Sequence, residues 1–196
     1  MVVATATIHW MDIRKKRRDD AVERMADYLL SEGLGAATLR PLAAAAGTSD
    51  RMLLYYFTDR DEILSATLHR IAERMLEQLD EAVPVGKPRP FRILLIEVRA
   101  ALALDSMKLF MPIWLDLASG AARGLQPHLH IAGELADGFL SWVTSRLKVE
   151  ARRNHAASAA LLLAFVEGVH FFEAIGRPSI AGSAAAELTA HLRRAN

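Results

Sequence analysis

The stretch TLRPLAAAAGTSDRMLLYYF, from Thr38 to Phe57, decides how this chain is read. It has the layout of a helix-turn-helix: a short helix, a glycine turn and a second short helix. Thr38 can cap the first of these through Ala46, and Pro41 falls in its first turn, where a missing N–H costs little. Ala43 and Ala46 are small enough for two helices to cross closely. Gly47 can take the left-handed conformation that a tight reversal needs. Thr48 or Ser49 can cap the next helix, which reaches Tyr56. Leu42, Leu53 and Phe57 are spaced to pack the pair against a preceding helix. That leaves Ser49, Asp50, Arg51, Met52 and Tyr55 on a face free to enter a DNA major groove.

Upstream, Val22, Met25, Ala26, Leu29 and Leu30 recur at steps of three and four and make one apolar face, which Gly33 and Gly35 end. Downstream, Thr58-Asp59-Arg60-Asp61 places an acid three residues after a capping hydroxyl. Ile63, Leu64, Leu68, Ile71, Met75 and Leu79 then carry a long helix to about Ala82. Pro84 to Pro90 is a break. Beyond it the spacing predicts helices over 91–104, 106–122, 127–148, 155–175 and 182–194. Pro112, inside the second of these, predicts a kink or a split. There is no β-alternation and no internal repeat. The expected fold is all-α, with about nine helices. A helix-turn-helix domain with a basic N-terminal arm occupies 1–62, and a helical ligand-binding and dimerisation domain occupies 63–196.

Taken whole, Thr38 to Leu64 resembles the DNA-binding signature of the TetR family of transcriptional regulators. That pattern has Thr at the start of helix two, an Ala-x-x-Ala-Gly turn and Ser opening the recognition helix. It closes on Leu-Tyr-x-Tyr/His-Phe, with a basic residue three after the Phe. Thr38, Ala43, Ala46, Gly47, Ser49, Leu53, Tyr56, Phe57 and Arg60 match it. The motif covers residues 15–65; the remainder is similar only in helix lengths and order. The resemblance implies a homodimer on a pseudo-palindromic double-stranded operator. It also implies a ligand cavity among the C-terminal helices, and a repressor released by a small apolar or amphipathic effector; the alternative is a DNA-binding regulator without such a ligand, partner-controlled or activating. The expected DNA-contacting residues are Thr38, Arg40, Thr48, Ser49, Asp50, Arg51, Met52, Tyr55, Tyr56 and Arg60.

Chemistry gives several of these a role. Thr38 and the N–H groups beside it can hold a phosphate. Arg51 can read guanine O6 and N7. Asp50 can accept from cytosine N4, or simply be an acid favoured in a first helical turn. Arg60 is the charged clamp, and Tyr56 is either a hydroxyl for phosphate or part of the core. Leu54 stands where the family usually has a phosphate-touching Tyr, and it cannot donate that hydrogen bond. The run Arg14 to Arg18 can track the minor groove or phosphates, or begin a solvated helix.

Composition sets the frame. The chain has 196 residues, 52% of them hydrophobic and 24% charged, which is a folding composition. It has no Cys, which excludes disulfides and Cys-ligated metal sites. Net charge is +1, and residues 1–60 hold 9 Lys/Arg against 8 Asp/Glu, so DNA binding must come from local placement of charge. No uninterrupted apolar run reaches bilayer length, and Arg14 to Arg18 leads into Asp19 and Asp20 instead of an apolar signal segment. A cytoplasmic protein without membrane contact is expected.

In the C-terminal body, Met107, Phe110, Met111, Trp114, Phe139, Trp142 and Phe165 can line a cavity or fill a core. Glu97, Glu167 and His170 are polar groups within apolar stretches and need partners; Glu167 and His170 share a helix face and suit a ligand or a subunit interface. Ala156, Ala160, Ala164 and Gly168 form a stripe of small residues at steps of four. With Leu188 and Leu192 they suit a dimer interface or packing within the chain. His128 and His130 lack a third ligand, so no metal or cofactor is expected. No nucleophile–base pair or phosphate loop is present to suggest an enzyme.

Overall fold

The structure, a computed structural model, describes residues 2–149 and 154–194. It is helical throughout: α1 (Val2–Glu32), a 3₁₀ turn (Leu34–Ala36), α2 (Leu39–Ala45), α3 (Asp50–Tyr56), α4 (Arg60–Ala82), α5 (Phe91–Leu102), α6 (Asp105–Lys108), α7 (Phe110–Ala122), α8 (His128–Arg146), α9 (His155–Ala174) and α10 (Pro178–Arg194). The described residues thus form ten α-helices where about nine were expected. The extra one comes from the split foreshadowed by Pro112. The break falls at Leu109, upstream of the proline itself. A proline ring clashes with the carbonyl four residues back, here that of Lys108, so the chain leaves helical geometry before it and restarts with Pro112 in the first turn of α7. Pro178 likewise opens α10, four residues earlier than the apolar spacing suggested, because its fixed φ suits a first helical position.

The chain packs as two compact units. One comprises the chain up to Arg74 together with Pro112–Ala132; the other comprises Met75–Met111 together with the chain from Gly133 onward. In the first, Met25, Ala26, Leu29, Leu42, Leu53, Phe57 and Ile63 are fully buried or nearly so. The face of α1 read from the sequence is buried, as are Leu42, Leu53 and Phe57, and α1 packs on α2, which packs on α3. Two arginines one turn apart on α4 bind two acids one turn apart on α1. Arg70 Nε reaches Glu23 Oε1 at 2.5 Å, and Arg74 reaches Asp27 Oδ1 at 2.7 Å and the Glu23 carbonyl at 3.1 Å. Burial alone would raise the Glu23 carboxyl, but hydrogen bonds from Arg74 and Arg70 outweigh it and hold the group below its ordinary value.

In the second unit α9 packs on α10 and α5. The buried face of α9 carries Ala159, Leu162, Val166, Val169 and His170. Its opposite face is apolar and open: Ala156, Ala160, Leu161, Ala164, Phe171 and Ile175 are exposed. By length and composition α9 is the one described helix that could cross a membrane, and only 28% of that stretch is buried. A buried arginine closes the end of α8. Arg146 donates from Nε to the Val83 carbonyl (2.8 Å) and from Nη1 to Trp142 O (3.2 Å); it pairs with Asp80, and its guanidinium lies 4.0 Å from the Trp142 ring centroid. Arg89 N donates to Arg146 O and Lys148 N donates to Arg89 O, each at 2.8 Å, which makes an isolated bridge between Arg89 and Leu147 and not a strand.

Candidate nucleic-acid interface

The turn between α2 and α3 is built by hydrogen bonding. Thr48 N donates to Ala43 O (2.9 Å) and Gly47 N to Ala44 O (3.0 Å), the paired bonds of a Schellman motif. Gly47 sits at φ +69°, and a Cβ there would come within 2.7 Å of Arg24 Nη1. Glycine is thus demanded by backbone conformation, while the Arg24 guanidinium could move aside for a Cβ. Ser49 is the cap of α3, accepting from Met52 N at 3.3 Å; Thr48 is not.

Thr38 has the extended backbone of a cap for α2, yet its hydroxyl makes no capping hydrogen bond. Pro41, three residues on, has no N–H to offer and so removes one of the two donors such a cap uses. Thr38 and Arg40 are exposed. The α4 cap lies one residue later than the spacing suggested: Asp59, not Thr58, accepts from Glu62 N (2.8 Å), and the Glu62 carboxylate reaches back to Thr58 N (2.5 Å). Asp59 wins because its carboxylate is the stronger acceptor at a helix N-terminus. The Thr58 hydrogen bond leads in holding the Glu62 carboxyl below its ordinary value; burial opposes, and Arg18 adds to the lowering.

α3 then presents a continuous outer face. Asp50, Arg51, Met52, Leu54 and Tyr55 are exposed, Tyr55 at 58%, while Leu53 beneath them is fully buried. Tyr56 is half-buried and meets the Tyr55 ring edge-on at 5.8 Å. Arg60 is exposed at the start of α4. All ten residues expected at the DNA therefore lie between the start of α2 and the first turn of α4, eight of them exposed and Thr48 and Tyr56 partly so.

The sequence reading set Arg14 to Arg18 against DNA or at a solvated helix start, and it missed what two of them do within the protein. The run Arg14 to Arg18 lies inside α1, and its two ends hold α3 in place. Arg14 donates to Tyr55 O (2.8 Å) with its guanidinium 4.7 Å from the Tyr55 ring centroid; Arg18 lies 4.5 Å from the Phe57 ring centroid and pairs with Glu62 at 2.9 Å. Lys15, Lys16 and Arg17 between them are exposed. The step of four from Arg14 to Arg18, set against the aromatic pair Tyr55 and Phe57, was the available signal.

Residues 26–67 match the family model described as bacterial regulatory proteins, tetR family. The match takes in α2, the turn and α3. Over about nine-tenths of its length the chain has the fold of solved structures described as TetR-family regulators. A protein from Rhodococcus sp. assigned to the family superposes with a TM-score of 0.71 at 19% identity, over 91% of this chain and 97% of that one. A TetR-family transcriptional regulator from Cytophaga hutchinsonii gives 0.69 at 16% identity, over 90% and 92%. The multidrug binding protein EbrR, complexed with imidazole, gives 0.64 at 19% identity, over 90% and 94%. No curated protein matches the sequence.

The residues expected to line an effector cavity are dispersed. Trp114 belongs to the first unit and the others to the second. Met107, Phe110, Trp142 and His170 are buried; Met111, Phe139, Phe165, Glu97 and Glu167 are partly so. Glu97 is matched by Arg89. Trp142 is tied down by its Nε1 donating to Asp80 Oδ1 at 2.6 Å. Within the same unit, Gln78 Oε1 and Arg99 Nε are buried without a hydrogen-bond partner. Burial pushes the His170 imidazole below its ordinary value; Glu173 opposes this and Arg99 adds to it. Among the described residues no three His, Cys, Asp or Glu side chains cluster as a metal site.

Proposed function

We propose that this protein is a dimeric, sequence-specific DNA-binding regulator, a repressor that a small apolar or amphipathic molecule releases from a pseudo-palindromic operator. The observation that carries the proposal is α3: a short helix locked from beneath by Leu53, Phe57, Arg14 and Arg18, with every outward residue exposed. Arg51 and Asp50 would read base edges. Thr38, Ser49, Tyr55 and Arg60 would hold phosphates on either side. Domain 1–62 would bind DNA, and 63–196 would bind effector and partner subunit.

Dimerisation would use the open face of α9. Ala156, Ala160 and Ala164 are exposed and Gly168 is half-exposed, so the described residues leave the stripe uncovered; Leu188 and Leu192 of α10 are partly exposed. Small residues at that spacing let a partner helix approach closely. A dimer would also account for the apolar character of α9 without a membrane, in keeping with a cytoplasmic regulator. The unmatched donor of Arg99 and acceptor of Gln78 favour an effector with a polar group on an apolar body. The imidazole complex of the EbrR protein is one instance of a small molecule in this fold.

Coupling would run along α4, a single 23-residue helix. Arg70 and Arg74 tie its first part to α1, and Asp80 near its end is held by Arg146. An effector that binds more tightly to one setting of α4 than another shifts DNA affinity by that difference. Titrating the full chain onto DNA from upstream of its own gene, at several salt concentrations, tests the proposal. Affinity well above that for random DNA is expected, and equal affinity for both rejects it.

A further inference from the structure

Two outward residues of α3 bring apolar surface to the face that meets DNA on the proposed reading. Met52 is 38% exposed and Leu54 42%. At about 3.6 residues per turn, Arg51 and Tyr55 lie one turn apart on the side opposite the buried Leu53. Leu54 flanks that ridge on one side, together with Asp50, and Met52 flanks it on the other. Tyr55 is engaged within the protein: Arg14 donates to its carbonyl at 2.8 Å, and the Arg14 guanidinium lies 4.7 Å from its ring centroid. Exposed cations stand near the two apolar residues, Arg51 on α3 itself and Arg40 and Arg60 in the first turns of α2 and α4.

We propose that Met52 and Leu54 select thymine, each seated against the 5-methyl group of a thymine beside the base pair that Arg51 reads. The inference rests on the DNA-binding reading of α3 and names bases that this helix takes. Thymine alone presents a methyl group in the major groove. An apolar side chain pressed on guanine O6 and N7, or on cytosine N4, strips water from those groups and returns no hydrogen bond. Against the methyl, both partners bury apolar surface. The same two residues therefore attract thymine and disfavour the other bases. Leu54 cannot donate to a phosphate, so its contribution to binding depends on sequence where a tyrosine's hydroxyl would not.

The test uses the duplex that the full chain recovers from a random pool, with each thymine of a half-site replaced in turn by deoxyuridine, in both half-sites together. Deoxyuridine pairs as thymine does and lacks only the methyl. Replacement at two positions should weaken binding, about fourfold for each methyl removed. Met52→Gln and Leu54→Asn keep the length of each side chain and exchange its apolar end for an amide. Both residues are exposed, so the core is untouched. Each variant should bind the thymine and deoxyuridine duplexes alike at its own position and still discriminate at the other. The inference is overturned if the recovered half-site carries no thymine on either strand, if every deoxyuridine duplex binds like its parent, or if both variants discriminate as the native chain does. A preferred sequence with those results leaves the DNA-binding reading standing. Recovery of no preferred sequence overturns that reading and this inference with it.

Discussion

Arg51 and Arg60 are both exposed cations, nine positions apart, yet their places in the fold give them different work. Arg51 is in the first turn of the outward helix, where on the proposed reading its guanidinium would pair with one base; Arg60 opens α4, where it would meet a phosphate. Arg51→Ala should therefore cost about 1–3 kcal/mol at one base position and relax preference there. Arg60→Ala should weaken all sequences alike and lower the slope of log affinity against log salt by about one. Competition binding against single-base operator variants, repeated at several salt concentrations, separates the two. Uniform weakening by Arg51→Ala would remove its base-reading role. Gly47 is a residue-scale case of another kind. Gly47→Ala must place a side chain in the left-handed region, at about 1–2 kcal/mol, and must also displace Arg24. Its thermal midpoint should fall measurably; an unchanged midpoint would mean that the turn relaxes freely.

At the scale of elements, what could be read in the sequence was what local chemistry writes. The order of cap, short helix, glycine and cap placed α2 and α3 within a residue or two, because Gly47 and Ser49 act on their own neighbours. Errors of one residue arose where two acceptors compete, as Thr58 and Asp59 do. The clamp of Arg146 on Asp80 and Val83 was invisible, since its partners are 66 and 63 positions away and no period links them. Burial of His170 on α9 has a pH consequence. Its folded value is depressed below the ordinary 6.5, so its contribution to stability is present above about that pH and is lost as pH falls through the lower folded value. Between pH 7 and 5 the native chain should lose more thermal stability than His170→Gln. Equal losses would mean that this ring does not titrate on unfolding.

For the whole molecule, the open face of α9 has the largest consequence. Ala156, Ala160 and Ala164 are exposed beside Leu161, Phe171 and Ile175, an apolar surface that no described part of the chain covers. Ala164→Glu puts a charge in the middle of that face without touching the buried side that carries Leu162 and Val166. It should shift sedimentation toward the monomer and weaken operator binding, with helical circular dichroism unchanged; an intact dimer would place the subunit contact elsewhere. The stripe itself was legible as a spacing, but whether it faced inward or outward was not, because small residues at steps of four serve both arrangements. The central claim is that two copies of α3 reach one side of a double helix together. Selecting bound DNA from a random pool with the full chain tests it most directly. The predicted outcome is an inverted repeat whose half-sites lie about one helical turn, ~34–36 Å, apart or a multiple of it; recovery of a single unpaired half-site, or of no common sequence, would contradict it.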